Sequence, residues 1–391
     1  MKKKLLPALI VTGLIILVVI IMGITALINK YTPTKKTEDL KEYFNISSDD
    51  EAALIVDNEL SDYKAKIIDK KIYVDYKFVH DSLNSRFYWD ANENVLLYTT
   101  ASDIISAAAD SNSYSVTKQT NDFGYPIVKA TSDSALIALD YVKQYSNITF
   151  KSYDDPARIV ITSKWDEIDS ATVSKSTQVR VKGGIKSPIL KEVKKDDKIT
   201  ILDSGDKWDK VATEDGVIGY IKRKALSESK KTKLTNPDYE EETFTHIKKD
   251  KDICLAWNQV TSQSANSKVP QVISSTKGIN VMSPTWFYLN DNNGNLADIA
   301  SKDYVSYCHS QGIEVWGLFS NFENTDVDAA YVLTHTSTRT TLINQIMSAA
   351  FNYELDGVNI DFENITEAAY GDSYIEFIRE LAIKCHNNGI S

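Results

Sequence analysis

The stretch Asp356-Gly357-Val358-Asn359-Ile360-Asp361-Phe362-Glu363 carries two interleaved rows of side chains. Neighbouring side chains point to opposite faces of a β-strand. Val358, Ile360 and Phe362 therefore share one face, and Asn359, Asp361 and Glu363 share the other. An open sheet could turn such a polar row to water. A strand inside a closed parallel sheet would instead turn it inward, where Val, Ile or Leu normally fill the space.

The flanking sequence favours the closed case. Ile253–Trp257, Gly278–Met282 and Glu314–Phe319 read as strands, and Gly357–Glu363 as the fourth. Between them, Lys302–Gln311 carries Tyr304, Val305 and Cys308 on one helical face, with Gly312 as its cap. Ser337–Tyr353 repeats Leu342, Ile343, Ile346, Met347 and Ala350 at helical spacing. Ser373 and Glu376 read as a capping box that opens the next helix. Gly389 ends that helix, and Ile390-Ser391 begins a fifth strand. Strand–helix alternation of this kind predicts a parallel sheet. The 139 residues from Ile253 to Ser391 amount to roughly half of a (β/α)8 TIM barrel of ~250 residues. The expected fold over 247–391 is therefore an incomplete TIM barrel, in a protein that continues further. Burying an amide and two carboxyl groups inside it costs several kcal/mol unless they bond to each other or to a ligand. Glu363 falls at the carboxyl end of its strand, the face where such barrels do chemistry.

Asp356-Gly-Val-Asn359-Ile-Asp361-Phe-Glu363 resembles the Asp-x-x-Asp-x-Asp-x-Glu signature of glycoside hydrolase family 18, the chitinase-like barrels, with Asn359 standing where most members have Asp. The runs Val281-Met282-Ser283-Pro284-Thr285-Trp286 and Trp316-Gly317-Leu318-Phe319-Ser320 are similar to the spore-cortex and cell-wall N-acetylglucosaminidase branch. The Ser-x-Gly-Gly often found on the third strand is absent. The resemblance implies cleavage of a β-1,4 bond next to N-acetylglucosamine by a substrate-assisted retaining mechanism, without cofactor or metal. It casts Glu363 as the acid, and Asp361 as the group that orients the acetamido N–H and stabilises positive charge. Asn359 would hydrogen-bond Asp361, and Asp356 would support the strand. Trp257 and Trp286 would stack on sugar rings or belong to the core. The half barrel alone is expected to be inactive, because the family's sugar-holding residues on later strands are not in it.

Working back toward the N-terminus, residues 229–246 read as a linker, Lys-rich at first and then carrying Glu240-Glu241-Glu242. Residues 170–228 contain short strands at Val179–Val181, Ile199–Leu202, Trp208–Val211 and Gly219–Ile221, with a tight Asp215-Gly216 turn. They resemble a bacterial SH3-like domain, a small β-barrel whose relatives commonly bind peptidoglycan. This segment has 13 Lys+Arg and 9 Asp+Glu, a net +4. Trp208 is either core or a sugar platform.

Residues 49–165 contain a repeat. Ile72-Tyr73-Val74-Asp75-Tyr76, Trp89-Asp90 and Val95–Tyr98 recur as Ile137-Ala138-Leu139-Asp140-Tyr141, Tyr153-Asp154 and Ile159–Thr162, offset by 65 and then 64 residues. Two copies of one α+β unit would share a core. They resemble the stalk-type domain of copper amine oxidases and bacterial surface proteins, which implies a spacer. It does not imply copper, since His80 is the only histidine there.

Lys2, Lys3 and Lys4 precede the uncharged run Leu5–Ile28, 24 residues and long enough to cross a bilayer. Residues 1–4 read as a cytosolic tail, 5–28 as a transmembrane anchor or a cleaved signal peptide, and 29–48 as a linker. The formal charge of −10 argues against nucleic acid as the main partner. Cys254, Cys308 and Cys385 fit neither a disulfide framework nor a metal motif. The whole reads as a multidomain protein: transmembrane helix, duplicated stalk, SH3-like module and half barrel. It is expected at the cell membrane as a single-pass protein with its C-terminal domains outside. The expected partners are the membrane and a cell-wall glycan, peptidoglycan rather than chitin. The alternative is a surface protein that grips glycan or anchors to the wall without cutting.

Overall fold

The computed structural model describes the backbone of residues 2–391, and the side chains from residue 9 onward except 367–369. Met1 of the expected cytosolic tail lies outside the described residues, as do the side chains of Lys2, Lys3 and Lys4. The chain divides into two compact units, residues 1–72 with 147–239 and residues 73–146 with 240–391.

The first unit opens with a helix, Lys2–Tyr31, whose described apolar side chains are all exposed. Its apolar stretch, Leu9–Tyr31, is long enough to cross a bilayer. The stretch read as a juxtamembrane linker holds a short helix, Leu40–Tyr43, and the fully buried Phe44. Strand Glu51–Val56 pairs antiparallel with Glu59–Ile68 and parallel with Arg158–Thr162, which pairs in turn with Thr149–Tyr153. A second, antiparallel sheet contains the four strands read from 170–228, now Thr177–Arg180, Lys198–Asp203, Trp208–Thr213 and Ile218–Lys222. It also has three more: Glu167–Thr172, Ile189–Val193 and Lys230–Lys233. The last forms from the supposed linker, because its main chain pairs with Glu167–Ser170. Gly216 takes φ +82°, as the Asp215-Gly216 turn requires.

In the second unit, Phe87–Asp90, Val95–Thr99, Ile104–Ala108, Ser113–Val116 and Gln119–Asp122 form a five-stranded antiparallel meander. Each half of the sequence repeat is a strand, a short helix and a hairpin: Lys71–Asp75 through Val95–Thr99, then Ala135–Ala138 through Arg158–Thr162. Tyr73, Val74 and Asp75 pair with Ala138, Ile137 and Leu136.

The C-terminal part of this unit has four parallel strands, β1 (Leu255–Asn258), β2 (Val281–Pro284), β3 (Glu314–Ser320) and β4 (Gly357–Asp361), side by side in that order. Three longer helices follow strands: α1 (Lys302–Ser310), α2 (Thr336–Tyr353) and α3 (Glu367–His386). Gly312, at φ +70°, turns the chain out of α1 as read. The core lies between sheet and helices, where Met282, Val315 and Phe319 meet Tyr304, Leu342, Ile346 and Phe377. Cys308 and Cys385 are buried free thiols, and Cys254 is exposed. Burial raises the thiols of Cys308 and Cys385, to about 12 and about 11.

The capping box does not form. The segment Glu367–His386 is two helical pieces joined at a non-helical Tyr370 (φ −159°), so Ser373 falls within the first turn of the second piece and not at its cap, and both it and Glu376 are buried. Ser373 Oγ instead meets Tyr88 Oη of the meander at 2.8 Å. Asp90 Oδ2 accepts from both the N–H and the hydroxyl of Thr336 at 2.6 Å, and so caps α2. Ser391 donates to Asp356 O and accepts from Val358 N–H, at 3.0 and 2.9 Å, along the side of β4 away from β3.

Candidate active site

Register fixes which side chains share the inner face of the parallel sheet. Trp257 pairs with Ser283, Leu318 with Asn359, and Ser320 with Asp361. Val358, Ile360 and Phe362 pack against the core, so Asn359 and Asp361 face the other way, as their alternation requires. Gly357 lies on that inner side too. A Cβ there would come within 2.7 Å of the Trp316 ring, so only glycine lets this indole lie over β4.

Asn359 Nδ2 donates to Ser283 Oγ at 3.1 Å. These residues stand on β4 and β2, with β3 between them. The sheet therefore curls enough for alternate strands to meet on its inner side, the layering that fills a barrel interior. The hydrogen bond from Asn359 to Asp361 is not made among the described residues, because Ser283 takes the amide.

Asp361, half-buried at the end of β4, lines a cleft of about 760 Å³ with Trp257, Thr285, Tyr288, Leu318, Phe322 and Glu323. Trp257 is 70% exposed and Phe322 41%. Together with Tyr288 they offer aromatic surface beside a carboxylate, a combination suited to the apolar faces and hydroxyl rims of sugar rings. Burial first, then the Asp361 charge, raises the hydroxyl of Tyr374 above its ordinary range.

Glu363 lies two residues beyond β4 and is exposed. The strand was read to Glu363, but its partner β3 ends at Ser320, opposite Asp361, so no ladder remains to extend it. Instead Asn321 holds the main chain. Its Oδ1 accepts from Glu363 N–H at 2.8 Å, and its Nδ2 donates to Glu363 O at 3.0 Å. Asp356 is structural: Oδ2 accepts from Val315 N–H and meets His309 Nε2, each at 2.8 Å, which ties β4 to β3 and α1.

Trp286 is no sugar platform on this face. It is fully buried, with its indole N–H donated to Asn266 Oδ1 at 2.8 Å and its ring edge-on to Tyr304. The strand ends at Pro284, where Trp286 N–H donates to Pro284 O at 3.0 Å, and this turn carries both Trp286 and the following Phe287 into the core while Thr285 lines the cleft. Asn321, Tyr288 and Glu323 were not singled out from sequence. Asn321 and Glu323 follow β3 in loop, where no periodicity marks them. Among the described residues no group of three or more His, Cys, Asp or Glu could hold a metal ion.

No protein-family model and no curated protein matches the chain. Among solved structures it is similar to a chitinase from Chromobacterium violaceum ATCC 12472, with 17% identity over 35% of this chain and 43% of that one (TM-score 0.30). A chitinase from Bacteroides thetaiotaomicron matches at 14% identity over 33% and 42% (TM-score 0.28). The spore cortex-lytic enzyme SleL of Bacillus cereus matches at 16% identity over 39% and 37% (TM-score 0.30). The chain spans less than half the length of each of these chitinases and cortex-lytic enzymes.

Proposed function

We propose that the protein is a glycoside hydrolase acting on β-1,4 bonds next to N-acetylglucosamine in cell-wall peptidoglycan. The observation that carries this reading is the split of one strand: Val358, Ile360 and Phe362 pack on the core, while Asn359 and Asp361 take the other face, where Asp361 lines an aromatic-rimmed cleft. Folding alone gives no reason to place a carboxylate there. Glu363, just past the strand, would protonate the leaving oxygen. The substrate's acetamido oxygen would attack the anomeric carbon, and Asp361 would hold the acetamido N–H and offset the positive charge that develops.

The N-terminal helix, in this reading, anchors the protein in the membrane with the other domains outside. The repeat would serve as a stalk and the SH3-like sheet as a wall-binding module, and this arrangement favours peptidoglycan over chitin. Protease shaving of intact cells should remove everything beyond the helix. A mature N-terminus beyond residue 28 would point to a signal peptide instead.

The test of function uses Glu363→Gln. In a chain that carries the complete barrel, the wild type should release reducing ends from peptidoglycan or chitooligosaccharide, and the variant should bind the same glycan without cutting it. Binding with no turnover by either would favour a glycan-gripping surface protein. Absence of both would end the glycan reading.

A further inference from the structure

The first unit contains a cleft lined by hydroxyl groups and lysines. Pairing of Thr172 with Lys198, of Ser170 with Thr200 and Lys230, and of Ile168 with Thr232 puts these seven residues on one face of three adjacent strands. The other face of the same strands sends Ala171, Val173 and Ile199 into the core. Opposite the polar face stands the hairpin of Thr149–Tyr153 and Arg158–Thr162, where Thr149 pairs with Thr162 and Lys151 with Val160. Together they bound a cleft of about 670 Å³.

Sheet faces that meet usually interdigitate apolar side chains. Here eight lining residues carry hydroxyls beside the apolar Phe150, Val160, Ile168 and Leu234, and half of those hydroxyls are unengaged among the described residues. Ser170 Oγ and Thr232 Oγ1 bond each other at 2.6 Å. The hydroxyls of Thr149, Thr162, Thr172 and Thr200, lining the cleft, have no side-chain hydrogen bond among the described residues. Lys151, Lys198 and Lys230 are exposed and make no ion pair among the described residues. Glu214 and Glu228 also line the cleft. The surrounding segment 170–234 has 16 Lys+Arg and 9 Asp+Glu, a net +7 in a chain of −10.

We infer that this cleft binds an anionic polyol polymer, a chain of small polyalcohols joined by phosphodiesters. Three separate ammonium groups with hydroxyls between them match a ligand that alternates phosphate and hydroxyl. A single anion would use one of them, and a neutral glycan would use none. An added peptide strand is a poorer occupant, because lysines along the edge strand Lys230–Lys233 discourage pairing. The site is independent of the proposed catalytic cleft.

The full chain in detergent, titrated with poly(glycerol phosphate), provides the test. Replacing Lys151, Lys198 and Lys230 together by Gln should weaken binding roughly tenfold and lower its salt dependence. Replacing Lys182, Lys194 and Lys207, which are exposed but outside the cleft, removes the same charge and should change binding less than about twofold. Thr200→Tyr, which fills the cleft without changing charge, should also block binding. Equal loss in both lysine triples, full binding by Thr200→Tyr, no binding by wild type, or equal competition by neutral chitooligosaccharide would each overturn the assignment. Melting temperatures of the variants within a few degrees of wild type separate lost binding from lost folding.

Discussion

Asn321 grips Glu363 by its main chain alone, accepting from the N–H at 2.8 Å and donating to the carbonyl at 3.0 Å. The clamp replaces the ladder that ends one step earlier, where Ser320 faces Asp361. It fixes the main chain from which the Glu363 side chain extends, and that carboxylate makes no hydrogen bond among the described residues.

Asn321→Ala should therefore loosen the loop after β4 without unfolding the sheet. Two lost hydrogen bonds near the surface amount to about 1–2 kcal/mol of local stability. Exchange of the Glu363 amide proton should quicken by roughly tenfold, and in a chain that carries the complete barrel turnover should fall while glycan affinity changes little. Asn321→Asp keeps the acceptor and loses the donor, so it should fall between. Unchanged amide exchange in Asn321→Ala would refute the clamp.

The two tryptophans should separate stability from binding. Trp286→Phe loses the bond to the Asn266 amide oxygen and leaves buried space, a cost of about 1–3 kcal/mol in melting experiments, with glycan affinity preserved. Trp257→Ala removes a side chain that is 70% exposed, so stability should hold within about 0.5 kcal/mol while glycan binding drops. The opposite pattern would mean that the cleft is on the wrong face.

Much of this region was legible because burial is periodic. Four strands, their order and the two faces of β4 follow from alternation in Gly357–Asp361 and helical spacing in Leu342–Ala350. Alternation does not reach Trp286, because the chain turns after Pro284 and buries both Trp286 and Phe287. What sequence could not give were partners chosen in space. Asn359 finds Ser283 across an intervening strand, and Thr336 finds Asp90 from 246 residues away. The capping box failed for a similar reason. Ser373 and Glu376 have the right spacing for a helix start, yet the helix begins just after Tyr370, and Ser373 Oγ meets the Tyr88 hydroxyl instead of a backbone N–H.

Ser283 is fully buried, so its bond to Asn359 should carry weight. Asn359→Leu leaves the serine hydroxyl without this donor and should destabilise the unit by about 1–3 kcal/mol. The double variant Asn359→Leu with Ser283→Ala should recover part of the loss, because both polar groups go together. Simple additivity in a denaturant-melt cycle would show that the two side chains do not interact.

Glu376 gives the second unit a dependence on pH. It is fully buried in α3, and neither carboxylate oxygen has a hydrogen-bond partner among the described residues. Around it lie Glu380, Arg339, Arg379, Tyr76 and Tyr88. Arg339 Nε donates to Glu380 at 2.8 Å, whereas Arg379 Nη1 stays 3.6 Å from Glu376. Burial, reinforced by the neighbouring Glu380, raises Glu376 from 4.5 to about 8. Between those values the folded chain keeps a proton that the unfolded chain has released. Rising pH through that window therefore favours unfolding, and the stability linked to this proton is full below about 4.5 and gone by about 8. Glu376→Gln stays neutral throughout, so it should flatten the fall in stability between pH 5 and 8 and exceed wild type above pH 8. Glu380→Gln should behave differently, because it strands the buried Arg339 and costs about 3–5 kcal/mol at neutral pH. Urea melts of both variants across that range check the assignment, and a wild-type slope retained in Glu376→Gln would place the titrating group elsewhere.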